Sequence, residues 1–91
     1  HILVGDIYLE REDSESALIN YQNAQALAEE MDIKSALILS LLAIGNIQLV
    51  QEDTILAREN FQQAHALAQE LGVGYAIAET TSRLNALGAE N

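Results

Sequence analysis

Apolar residues recur along this chain at steps of three and four, the spacing that lines one face of a helix. Ala17, Tyr21, Ala24 and Ala28 form one such stripe, and Ala57, Phe61, Ala64 and Ala68 form another. Aromatics are few, which argues against a β-rich domain. Breaks in the pattern fall at acidic or glycine-bearing points: Glu12-Asp13, Asp32, Glu52-Asp53, Gly72 and Gly88. The spacing therefore predicts about five helices. They run from His1 to near Arg11, from Ser14 to near Met31, from Lys34 to Val50, from Thr54 to near Leu71, and from Tyr75 to near Leu87. Asp13 or Ser14, and Asp53 or Thr54, are suited to cap the helices that follow them, because their side chains accept from unpaired backbone N–H groups. Gly72 suits a left-handed helix end, and Asp32 stands in the equivalent place.

The pattern repeats with a period of about 40 residues. Gly5 recurs as Gly45, Ile7 as Ile47, Leu9 as Leu49, and Glu12-Asp13 as Glu52-Asp53. Ala17 recurs as Ala57, Asn20 as Asn60, Ala24 as Ala64 and Ala26-Leu27-Ala28 as Ala66-Leu67-Ala68, while Tyr21 becomes Phe61. Small residues stay opposite small ones, and aromatic opposite aromatic. A glycine inside a helix costs about 1 kcal/mol relative to Ala, so Gly5 and Gly45 call for a packing reason. The reading is complementary volume. Gly5, Ala17 and Ala24 leave room for Tyr21, and Gly45, Ala57 and Ala64 leave room for Phe61. The units divide as 1–32, 33–72 and 73–91, the first shortened at its start and the last holding a single helix.

The segment from Lys34 to Val50 is apolar nearly all round. Lys34, Ser35, Ser40, Asn46 and Gln48 interrupt it, and it is short for a membrane span. It reads as a central helix covered by neighbours on most sides.

Composition narrows the function. Fourteen acidic residues against four basic ones give a net charge of −10. Arg11, Lys34, Arg58 and Arg83 are scattered. Phosphate backbones are bound by clusters of Lys and Arg, so neither nucleic acid nor an anionic membrane is an expected partner. The acidity favours a neutral or basic ligand. Cysteine is absent, which excludes disulfides and thiolate metal sites. No phosphate-cradling glycine loop is present. Of the two histidines, His1 is terminal and His65 is expected on an outer face. No histidine has the spacing of a carboxylate metal site in a helix bundle. No catalytic residue, metal or cofactor is expected, nor an enzymatic activity. The chain starts inside a periodic segment and reads as a piece of a longer protein. The lack of any export signal points to the cytoplasm.

The order Val4-Gly5, Tyr8, Ala17, Tyr21, Ala24, and again Ile44-Gly45, Ala57, Phe61, Ala64, resembles the signature of tetratricopeptide repeats. The unit is longer than the usual ~34 residues. Gln48 stands where the family prefers an aromatic, so Gln48→Ala is expected to matter little; Asn85 replaces the glycine of the third unit. The resemblance implies an all-α fold, a right-handed α-α superhelix of antiparallel helices. It implies a concave groove that holds a peptide or a segment of another protein. By position, that groove falls to Asp6, Leu9, Leu39, Leu42, Asn46, Leu49, Val50, Glu79 and Arg83, with Asn46 offering its amide to an extended backbone. Some relatives of this type clamp a C-terminal carboxylate with basic residues. At the matching places stand Ile2, Asp6, Ala43, Glu79 and Arg83, so acidic tails are not expected ligands. The rival expectation is structural: a homodimer, or a spacer within a longer repeat array.

Overall fold

The computed structural model describes the backbone from Ile2 to Ala89 and the side-chain surroundings from Ser14 to Gly88. The fold is all-helical, with four helices: α1 (Ile2–Met31), α2 (Lys34–Val50), α3 (Thr54–Leu71) and α4 (Gly74–Ala89). Each packs on the next, α1 on α2, α2 on α3 and α3 on α4.

Three short turns join them, and all three use one device. Asp32, Glu52 and Gly72 adopt left-handed backbone, with φ of 56°, 64° and 71°. At each, the following N–H reaches back to a carbonyl of the last turn: Ile33 to Ala28 at 2.9 Å, Asp53 to Gln48 at 2.8 Å and Val73 to Ala68 at 2.9 Å. This pattern satisfies carbonyls that the helix end would otherwise leave unpaired. Gly72 takes the conformation freely, whereas Asp32 and Glu52 carry a cost of about 1–2 kcal/mol. The Asp53 side chain then caps α3, accepting from the Leu56 N–H at 3.3 Å.

The count differs from the five helices that the sequence pattern suggests. The turn expected at Glu12-Asp13 is absent, and α1 runs through it unbroken. The same dipeptide turns at Glu52-Asp53 and not here. Arg11, Glu12 and Asp13 are all compatible with helix, and staying helical avoids the left-handed cost. Gly88, expected to end the last helix, lies inside α4.

The core lies between α2, α3 and α4. Ile38, Leu41 and Leu42 meet Ala57, Phe61, Ala64 and Ala68, with Ala76 and Leu87 closing the far side. Phe61 is wholly buried. Its ring occupies the space over Gly45, where a Cβ would lie 2.8 Å from Cε1 and 2.9 Å from Cζ. That is well inside ordinary carbon contact, so only glycine admits the ring in this position.

Candidate interaction surface

The central helix presents one open stripe. Leu39, Ala43, Asn46 and Val50 step by four, three and four, and so share a face of α2. Leu39 and Val50 are 53% and 58% exposed, and Ala43 and Asn46 between them are half-buried. The stripe holds no charged residue, on a chain whose net charge is −10. At its Val50 end lies a notch of about 300 Å³, walled by Ser14, Glu15, Val50, Gln51 and Glu52. Glu15 and Glu52 make this notch acidic, and the carbonyl end of α2 adds negative potential.

The residues assigned to a groove separate on inspection. Leu39 and Val50 are open. Leu42 is 5% exposed and Leu49 packs against the core, so neither is presented to a ligand. They lie on the flank of α2 that α3 covers, a distinction that apolar character alone does not draw. The Asn46 side-chain oxygen is buried without a hydrogen-bond partner, so it does not face an incoming backbone. Such an orphaned acceptor costs about 1–3 kcal/mol. Glu79 is half-buried and Arg83 exposed on α4. The side chains of Asp6 and Leu9, and the surroundings of Gly5, lie outside the described residues.

The packing set separates by unit. Gly45, Ala57, Phe61 and Ala64 are all buried at the α2–α3 contact. In α1, by contrast, Tyr21 is 41% exposed, Ala24 is exposed and Ala17 is half-buried. Tyr21 is thus partly open where Phe61 is enclosed. α3 lies between α2 and α4, whereas the main packing of α1 among the described residues is on α2.

Two polar contacts escape a reading from sequence. Gln48 is 6% exposed and its side-chain oxygen accepts from Asn60 Nδ2 at 2.6 Å. It is a buried tie between α2 and α3, not the dispensable residue that its departure from the repeat pattern suggests. His65 is half-buried rather than a bystander, with Nδ1 2.7 Å from Thr80 Oγ1. The Thr80 hydroxyl also reaches the Ala76 carbonyl at 2.8 Å and the Ile77 carbonyl at 3.1 Å, both of which only accept; which of Thr80 and His65 donates to the other follows the imidazole tautomer. This links α3 to α4. Recurrence flags neither contact, since both pairs sit in separate helices and Gln48 has no polar counterpart at Tyr8.

Charged ties are few among the described side chains. Arg58 donates to the Leu87 carbonyl at 3.2 Å, placing a cation at the negative end of α4. Lys34, at the start of α2, donates to Glu70, near the end of α3, at 2.6 Å. The hydrogen bond and the charge of Glu70 hold the Lys34 ammonium above its usual pKa of 10.5. No group of three or more metal-capable side chains occurs among the described residues. Nor is any described helix long and apolar enough to cross a membrane.

No protein-family model matches the chain, and no curated protein or solved structure is detectably similar to it. The fold and the surface define the class: an all-helical stack in which each helix rests on the next.

Proposed function

We propose that this chain is a protein-interaction module of tetratricopeptide-like helical repeats, part of a right-handed superhelical array, and not an enzyme. The observation that carries the reading is the open, uncharged stripe Leu39–Ala43–Asn46–Val50 on the most enclosed helix of an acidic chain. A helix so apolar has reason to leave a face open when another chain covers it. The partner is a protein segment that lays apolar side chains along the stripe and ends in a basic one. That basic group enters the notch beside Glu15 and Glu52. Within this reading the groove is narrower than its sequence outline. Leu39 and Val50 supply the contact, while Leu42 and Leu49 hold α2 in place from behind.

A second reading is self-association, in which the chain is an assembly or spacer element. The exposed Tyr21, Leu27 and Met31 of α1 favour it. Sedimentation over a range of concentrations separates the two. The first reading expects a 9.9 kDa monomer with its stripe free. A dimer that Leu39→Glu with Val50→Glu dissolves would show the stripe filled by a second copy and would overturn it. A dimer dissolved by Tyr21→Glu instead would leave the stripe free and assign the second contact to α1.

A further inference from the structure

The open stripe of α2 limits the backbone form of what covers it. Leu39 and Val50 stand eleven residues apart (50 minus 39), about 16 Å along the helix axis. Both ends of the stripe are more than half exposed, and Ala43 and Asn46 between them are half-buried. Two kinds of chain fit that length. An extended segment crosses it in about five residues, at about 3.3 Å each, with every second side chain facing α2. A helix crosses it in about eleven residues and three turns, with side chains facing α2 at steps of three and four.

Hydrogen bonding separates the two. An extended segment carries a row of N–H and C=O groups that need partners once covered. The stripe gives its N–H groups no acceptor. Leu39, Ala43 and Val50 have apolar side chains, and the Asn46 side-chain oxygen is buried. The carbonyls of α2 up to its last turn are engaged within the helix. A helical occupant arrives with its own backbone already paired. Packing points the same way. Helix axes pack about 8–10 Å apart, the distance being set by the side chains at the contact. Ala43, the smallest side chain of the stripe, stands where a helix laid along it comes nearest.

Charge marks one end. Beyond Val50 the notch of about 300 Å³ is walled by Glu15 and Glu52, while the stripe itself is uncharged. A second copy of this chain suits the site poorly, since two chains of net charge −10 repel.

We propose that the occupant of the stripe is an amphipathic helix of about three turns. Its apolar side chains recur at steps of three and four, straddle Ala43 and rest on Leu39 and Val50. An Arg or Lys within one turn of the end that meets Val50 enters the notch beside Glu15 and Glu52. The inference rests on the stripe being the partner site, and adds the occupant's backbone form, its length and the place of its charge.

A display library of random peptides of about 16 residues, enough for four helical turns, tests it. Selection is on the whole chain, with counter-selection on the Leu39→Glu, Val50→Glu variant of verified fold. Recovered peptides are synthesised and their Kd read by fluorescence anisotropy. Their apolar residues should recur at steps of three and four, with Arg or Lys near one end. A proline placed at a polar position in mid-peptide should weaken binding roughly hundredfold, because it breaks a helix. Glu15→Gln with Glu52→Gln in the chain should weaken binding roughly tenfold, and have no effect once the peptide's basic residue is replaced by Gln. Stripe-dependent peptides that carry apolar residues at every second position, or that tolerate the proline, overturn the helical occupant and leave the partner site standing. Indifference to the two glutamate replacements overturns the placement of the charge. If no peptide separates the native chain from the variant, the partner-site reading falls and this inference falls with it.

Discussion

Gly45→Ala isolates the contact on which the α2–α3 packing turns. In an ordinary exposed helix this change stabilises, because Ala is favoured over Gly by about 1 kcal/mol. Here the added Cβ would lie 2.8, 2.9 and 3.1 Å from three carbons of the Phe61 ring. Carbon atoms rest at about 3.5–4.0 Å, so the ring must retreat by somewhat under 1 Å. It has little room, since Phe61, Ala57 and Ala64 are all at 0% exposure. Overpacking of this kind costs about 1–3 kcal/mol. Set against the gain in propensity, the net change is a destabilisation of about 0–2 kcal/mol. The informative quantity is a difference. Gly88 also lies inside a helix, and a Cβ there would meet nothing within 4 Å. Gly88→Ala should therefore be neutral or stabilising by a few tenths of a kcal/mol, near a helix end where propensity counts less. Urea unfolding followed by circular dichroism measures both variants. Adding Phe61→Leu to Gly45→Ala should recover part of the loss, because the two residues touch and their effects will not add. The reasoning is refuted if Gly45→Ala proves as benign as Gly88→Ala.

Other substitutions probe the turns and the buried polar ties. Glu52→Gly should stabilise by about 1 kcal/mol in the same assay, since it removes a left-handed penalty that exceeds the entropy glycine adds to the unfolded chain. Gln48→Ala should destabilise by about 1 kcal/mol or more, through loss of the hydrogen bond from Asn60 and of buried volume. Thr80→Val keeps the shape but leaves His65 Nδ1 without its hydrogen-bond partner, and should cost about 1–3 kcal/mol; the imidazole nitrogen shifts in NMR would report the change directly. The raised pKa of Lys34 means that its contribution is complete below pH 10.5 and is lost as pH rises through the folded-state value. Lys34→Gln should therefore leave the pH dependence of stability unaltered across the neutral range, and alter it under strongly alkaline conditions.

The helical class was legible in the sequence because the apolar steps of three and four are unmistakable around Phe61 and along the Lys34–Val50 segment. Its punctuation was legible too. Asp32, Glu52 and Gly72 interrupt strongly helical runs, and each adopts left-handed backbone. Glu12 shows the limit of that logic. It carries the same local sequence as Glu52, yet in this structure it stays helical, because whether a costly turn forms depends on what the refolded segment packs against. The surface was legible only in outline. Leu39, Leu42, Leu49 and Val50 look equivalent as letters. Their burial depends on where α3 crosses α2, and that separates the covered pair from the open pair. Gln48 and His65 were misread for a related reason. A polar side chain in a helix looks solvated until the helix bearing its partner, Asn60 or Thr80, is placed beside it.

The most direct test of the interaction reading is affinity capture from a lysate, comparing the native chain with a Leu39→Glu, Val50→Glu double variant. Both side chains are more than half exposed, so the double variant should keep its helices and its unfolding midpoint, which circular dichroism verifies first. Leu49→Glu is unsuitable for this purpose, because Leu49 packs on the core. The account predicts a protein held by the native chain and lost by the folded variant, with a basic residue in the segment that cross-links near Glu52. Capture of the same proteins by both chains would contradict it.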